Sequence, residues 1–344
     1  MSRFREEIGK QPEVLSKLLD QSSEAVAAIG ARIRETAPRV FVIAARGSSD
    51  HAALYAKYLF GARNRALVAL AAPSLFTHYG RPPRLEGQCV VGISQSGASP
   101  DVIAVVEEAG RQGALTVAIT NDTESKLAQV TQLVLPLGVG PELSVPASKS
   151  YTASLLALAL ISQALDPDPA FESALSRVPQ SSARAIEKDS ELERLVAPLI
   201  GSRAIVLGRG FNFSTAEEIA LKLTETSYVL ARAWSVADFE HGPIAVVETG
   251  FPVVVVRGGG PIAADLESIR QRLEAMGCHV VQLIDGPPVG DDPSMTVQID
   301  SGLPEALTPI TLTVLGQLLS HRVAVARGID PDRPRALQKV TRTW

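Results

Sequence analysis

The sequence predicts an α/β fold of two tandem units, each a doubly wound, mainly parallel sheet flanked by helices. Three observations predict it. Short continuous apolar runs alternate with longer segments of helical period, the pattern of parallel strands covered on both faces. Each half opens with an apolar run that ends in a glycine-containing turn: Phe41-Val-Ile-Ala-Ala-Arg-Gly47 in the first and Ile205-Val-Leu-Gly-Arg-Gly210 in the second. Val90-Val-Gly-Ile-Ser94 and Val253-Val-Val-Val-Arg257 extend the likeness. One α/β unit written twice is the economical account, and two unrelated α/β domains are the alternative.

The elements follow in order. Residues 1–34 alternate polar and apolar positions with helical period and read as an N-terminal helical segment. The apolar run from residue 40 ends in the turn Gly47-Ser-Ser49 and leads into a helical pattern over 50–60. Further strand-like runs lie at 66–71, 89–94 and 115–120, with a helix over 100–110. In the second half a strand and turn at 204–210 precede a long helical pattern over 215–231, and strand-like runs return at 252–257, 279–284 and 295–299. Asp166-Pro-Asp-Pro169 and Pro179-Gln-Ser-Ser182 interrupt the pattern and place a joint near 166–195. The expected partition is therefore 1–34, a first subdomain over 35–166, a connection over 167–195, a second subdomain over 196–330 and a tail over 331–344.

Composition narrows the function. A chain of 344 residues with 46% hydrophobic and 20% charged residues has a core large enough for two ordinary domains. Its 5% aromatic content, its net charge of −4 and its lack of basic runs argue against a nucleic-acid partner. No apolar run has membrane-spanning length and no signal peptide is seen, so a cytoplasmic protein without a membrane partner is expected. Cys89 and Cys278 read as two buried apolar thiols. No pair of histidines has metal-ligand spacing, and no metal or other cofactor is expected.

In open parallel sheets ligands bind beyond the carboxyl ends of the strands. The first such turn carries Ser48 and Ser49; the third carries Ser94, Gln95, Ser96 and Ser99, with Ser99-Pro100 as an N-cap and first helical residue. Either motif alone is most simply a turn or a cap. Two of them on one sheet suit a small anion held by hydroxyls and helix N–H groups. A hydroxyl-rich segment, Glu142-Leu-Ser-Val-Pro-Ala-Ser-Lys-Ser-Tyr-Thr152, leads into an apolar helix. Ser214-Thr-Ala-Glu217 has capping-box form, so a helix should start there, and Glu218, Lys222 and Glu225 share one of its faces. A solvated ion-paired face is the plain reading of that trio, although the flanking apolar residues suggest enclosure. His241, before Gly242-Pro243, is a turn histidine suited to acid–base work or to a plain surface place.

Together these segments resemble the sugar isomerase (SIS) family, in particular the isomerase half of the glutamine–fructose-6-phosphate transaminases and the stand-alone glucosamine-6-phosphate deaminases. The resemblance rests on Arg46-Gly-Ser-Ser-Asp-His-Ala52, Ile93-Ser-Gln-Ser-Gly97, Ser144-Val-Pro-Ala-Ser-Lys-Ser-Tyr-Thr152, Leu207-Gly-Arg-Gly210, Ala220-Leu-Lys-Leu-Thr-Glu225, His241-Gly-Pro243 and Asp332-Arg-Pro-Arg-Ala-Leu-Gln-Lys339, in that order. It implies two SIS subdomains with a sugar phosphate bound between them. Ser48, Ser49, Ser94, Gln95, Ser96 and Ser99 would hold the phosphate, and Val145, Ala147 and Ser148 would line the sugar. Glu225 would move the proton between C1 and C2, with Lys222 beside it. His241 would open the ring, reaching over from the partner subunit of a homodimer with shared active sites, and Lys339 would close over the sugar.

The Ala237-Asp-Phe-Glu-His-Gly-Pro243 form departs from the synthase pattern, and residues before the first subdomain lack a nucleophilic cysteine that would open an ammonia-supplying domain. The expected activity is deamination of glucosamine 6-phosphate to fructose 6-phosphate and ammonia. A fructosamine-6-phosphate deglycase, a ketose–aldose isomerase and a non-catalytic phosphosugar sensor are the alternatives.

Overall fold

The computed structural model describes residues 2–287 and 294–339, so residues 340–344 of the expected tail lie outside it. The chain opens with the helices α1 (Arg3–Gly9), α2 (Gln11–Gln21) and α3 (Ser23–Thr36). There follow β1 (Val40–Ala44), α4 (Ser48–Asn64), β2 (Leu67–Leu70), α5 (Ser74–Thr77), β3 (Cys89–Ser94) and α6 (Pro100–Arg111). Next come β4 (Leu115–Thr120), α7 (Lys126–Val130), β5 (Leu133–Pro136), α8 (Lys149–Leu165) and α9 (Pro169–Glu187). The second half runs β6 (Arg203–Gly208), α10 (Phe213–Ser227), β7 (Leu230–Ser235), α11 (Val236–Glu240) and β8 (Pro252–Gly258). It ends with α12 (Ala263–Ala275), β9 (His279–Asp285), β10 (Thr296–Ile299) and α13 (Thr308–Ala326).

The chain divides into two compact units. Among the described residues the first comprises Glu13–Glu142, Lys149–Ser176 and 337–339; the second comprises 2–12, Leu143–Ser148 and the described part of Arg177–Ala336. Among the described residues the first sheet has five parallel strands in the order β2-β1-β3-β4-β5. Every residue of β3 and β4 is buried, as their unbroken apolar runs require. Val42, Ala44, Val90 and Ala118 pack with Val102, Val105 and Val106 of α6, while α8 packs on α3 and α4. The second sheet runs β10-β9-β8-β6-β7, again all parallel. Read from its other edge, it has the strand order of the first. In both, successive connections leave in opposite directions from one strand, β1 or β6. The topological switch points therefore lie between β1 and β3 and between β6 and β8. In the second unit α10 lies against α13, where Gly316 permits the approach: a Cβ there would fall 2.2 Å from Ile219 Cγ1.

Three local expectations are corrected. Pro179 does not break the chain; α9 runs through it. That helix buries Phe171, Ala174, Leu175, Val178 and Ala185 on one face, and this burial offsets the hydrogen bond the proline cannot donate. The helix expected to reach residue 231 stops at Ser227, because Tyr228 adopts a left-handed conformation (φ 53°) and the chain turns into β7. The half-exposed strand β5 was also missing from the sequence reading. Cys89 and Cys278 are buried and free, as expected.

Candidate active site

In the first unit the turns after β1 and β3 stand at neighbouring strand ends. Gly47 takes φ +55° at the N-cap of α4, and a Cβ there would meet open space. Its conformation, not crowding, therefore selects glycine. Ser48 and Ser49 form the first turn of α4 and are half-buried. After β3, the chain folds back on itself. The Gly97 N–H donates to Ser94 Oγ at 3.1 Å, and the Ala98 N–H donates to Ser96 Oγ at 3.3 Å. Ser99 is the N-cap of α6 with Pro100 behind it, as expected, and its hydroxyl lies 3.3 Å from that of Ser94.

This turn is strapped to the end of β4. The Asn121 N–H donates to Gln95 O at 3.2 Å and the Leu127 N–H to Gly97 O at 3.1 Å. Gly97 (φ +60°) has no room for a side chain: a Cβ would lie 2.0 Å from Ser125 Oγ. Arg46 forms an ion pair with Asp101, which is buried in the first turn of α6. The pair ties the two turns together. The result is a cradle of hydroxyls and an amide at the starts of two helices, where the positive end of each helix dipole favours an anion.

The segment over 142–150 is held by carboxylates. Glu7 of α1, itself buried, accepts the Leu143 N–H at 2.6 Å and bonds the N–H and hydroxyl of Ser144. Gln317 donates to Ser148 O at 3.4 Å and accepts from Gln11 at 2.8 Å. Val145 and Ala147 are half-exposed, whereas Ser148 is buried. In the first unit Glu142 is buried and accepts the Ser150 N–H at 3.0 Å and the Ser150 hydroxyl at 2.7 Å. Lys339 Nζ lies 2.9 Å from Glu142 Oε2. Burial acts to raise the pKa of Glu142, but the Lys339 charge and the Ser150 donors outweigh it and hold the carboxyl below its ordinary range.

In the second unit α10 carries the charged trio. Lys222 Nζ is 2.6 Å from Glu225 Oε2 and 3.5 Å from Glu218 Oε1. Lys222 and Glu218 are buried, while the Glu225 side chain is 23% exposed. The solvated-face reading is thereby overturned: the trio is an enclosed network with Glu225 at its accessible edge. Burial alone would lower the pKa of Lys222, but Glu218 and Glu225 outweigh it and raise it, so the ammonium persists. The capping-box reading is also corrected. The helix starts at Phe213 behind Asn212, and the Ser214 hydroxyl donates to Phe211 O at 2.8 Å. His241 follows α11, exposed, with Gly242 at φ 144° behind it.

Sequence reasoning missed Glu7, Asp101 and the anchoring role of Glu142. Asp101 had a local signal, an acid in the first turn of a helix. Glu7 had none, since its partners lie 136 and 137 residues away. Among the described residues no three His, Cys, Asp or Glu side chains are grouped to hold a metal ion, and no helix is long and apolar enough to cross a membrane.

The family model of the SIS domain matches residues 35–163. A glutamine–fructose-6-phosphate aminotransferase (isomerizing) of Thermococcus kodakarensis is 31% identical over 343 residues, covering 97% of this chain and 56% of that protein. The chain thus spans about half the length of the curated relatives it matches. A crystal structure from Silicibacter pomeroyi, provisionally assigned as a phosphosugar isomerase, is 33% identical with a TM-score of 0.88, covering 96% of this chain and 100% of that one. The C-terminal domain of a glucosamine-fructose-6-phosphate aminotransferase from Francisella tularensis is 25% identical with a TM-score of 0.88, covering 97% and 98%. With its two parallel sheets of like strand order and its hydroxyl-lined turns, the chain belongs to the sugar isomerase (SIS) family.

Proposed function

We propose that the chain is a phosphosugar enzyme that converts glucosamine 6-phosphate and water to fructose 6-phosphate and ammonia. The observation that carries this reading is the hydroxyl cradle at the first switch point, which suits one phosphoryl group. The similarity to proteins named for fructose 6-phosphate chemistry supports the substrate class.

In this mechanism Ser48, Ser49, Ser94, Gln95, Ser96 and Ser99 hold the phosphoryl oxygens. His241 moves the proton that opens the ring. Glu225 takes the proton from C2 and returns one to C1, which leaves the nitrogen on an imine carbon. Water adds there and ammonia departs. Lys222 holds the Glu225 carboxylate in place. Val145, Ala147 and Ser148 line the sugar and Lys339 closes over it. A homodimer with shared sites, in which His241 serves the partner subunit, completes the proposal.

The test is a coupled assay for fructose 6-phosphate with parallel measurement of ammonia. Both products should appear from glucosamine 6-phosphate, and Glu225→Gln should lower kcat by about 10²–10⁴-fold while leaving sugar phosphate binding intact. Full activity of that variant removes Glu225 from the mechanism. The Silicibacter pomeroyi likeness favours a second reading, plain ketose–aldose isomerisation. It predicts sugar interconversion without ammonia.

A further inference from the structure

We infer that Glu142 is a positioning residue, a buried carboxylate built at the start of α8 to seat the ammonium of Lys339 and thereby fix the tail over 331–339. The Glu142 side chain has no solvent access, whereas Lys339 is 25% exposed. A carboxylate in such a place is costly unless its lone pairs are met. Two donors come from nearby sequence: the N–H and the hydroxyl of Ser150, at 3.0 and 2.7 Å. They lie in the first turn of α8, whose dipole also favours negative charge. The anion is thus assembled without the tail.

The third donor, Lys339 Nζ at 2.9 Å, comes from 197 residues away. The backbone leading into Glu142 is pinned as well, because the buried Lys149 ammonium donates to Val139 O at 3.2 Å and to Pro141 O at 2.7 Å. A buried anion already met by local donors and joined by a cation from a distant segment is the arrangement of a seat and not of a surface ion pair. Were Glu142 only a cap for α8, the Ser150 bonds would suffice and the lysine would be superfluous.

The inference rests on the proposed role of Lys339 at the sugar only for its kinetic consequence. The docking itself is independent of substrate. Amide hydrogen exchange on the full chain tests it. Glu142→Gln and Lys339→Met should each speed exchange of the tail peptide by about tenfold or more, with the double variant no faster than either single one. Lys339→Arg should restore tail protection, since the guanidinium still pairs with a carboxylate. If Glu142 merely caps its helix, Glu142→Gln will speed exchange in α8 and leave the tail unchanged. That result, or additive effects of the two substitutions, overturns the inference. Should Glu142→Gln fail to fold, the contrast between Lys339→Met and Lys339→Arg decides alone. An absence of turnover with the tail pattern as expected would instead count against the proposed reaction.

Discussion

At the switch point of the first sheet the turns after β1 and β3 present Ser48, Ser49, Ser94, Ser96 and Ser99. At that of the second sheet the turns after β6 and β8 present Arg209, Gly210, Gly258, Gly259 and Gly260, with the Glu305 carboxyl against Gly260. A Cβ on Gly260 would fall 2.1 Å from Glu305 Oε2. Arg209 is spoken for by Asp265 at 2.8 Å. The strand order is the same in both units, yet one switch point offers donors to an anion and the other offers an acid. The repeat conserves topology and not chemistry. In the second unit the enclosed charged groups lie on α10 instead.

The largest effect should come from breaking the first switch point. Gly97→Ala forces a Cβ into the Ser125 side chain at a left-handed backbone position, and a loss of about 4 kcal/mol of stability is expected. Denaturant unfolding measures it, and adding Ser125→Gly should recover part of the loss. Next is α10. Lys222→Met leaves two carboxylates, one of them wholly buried, without their shared cation, which should cost about 3 kcal/mol and remove activity. An unchanged unfolding midpoint would show the trio to be energetically slack.

The second switch point responds to pH. Burial pushes the Glu305 carboxyl up from 4.5 to about 7. The native state then binds more protons than the unfolded chain between those values, so this group lowers stability as pH rises from 4.5 to 7 and adds no slope beyond. Allowing for its solvent-facing half, the effect is about 1–2 kcal/mol. Glu305→Gln should flatten that slope and raise the melting temperature at pH 8, as thermal unfolding at several pH values will show. The smallest effect should be that of Gly47→Ala, where φ is positive but space is open: about 1 kcal/mol.

The difference between the units also explains what the sequence revealed. β1, β3, β4, β8 and β9 are buried nearly throughout and stand out as apolar runs. The edge strand β7 is half-exposed and follows a helix that ends without glycine, so its Leu230-Ala-Arg-Ala-Trp-Ser235 continues the helical pattern on paper. The serine turns were legible because a cap and a tight turn are local features. The grip of Glu7 on Leu143 and the seat of Lys339 on Glu142 were not, because nothing in a residue's neighbours reveals a partner 136 or 197 positions away. For the α10 trio, spacing revealed the shared face but not the burial that separates an enclosed network from a solvated one.

The most direct measurement follows the hydrogen itself. Hexose 6-phosphates incubated with the protein in heavy water should acquire deuterium from solvent at C1 or C2, seen by proton magnetic resonance. Glu225→Gln should abolish this labelling while a thermal shift with the same sugar persists, and Ser94→Ala with Ser99→Ala should abolish both. Sugar phosphates that bind yet stay unlabelled with the unaltered protein, or labelling that survives in Glu225→Gln, would contradict the account.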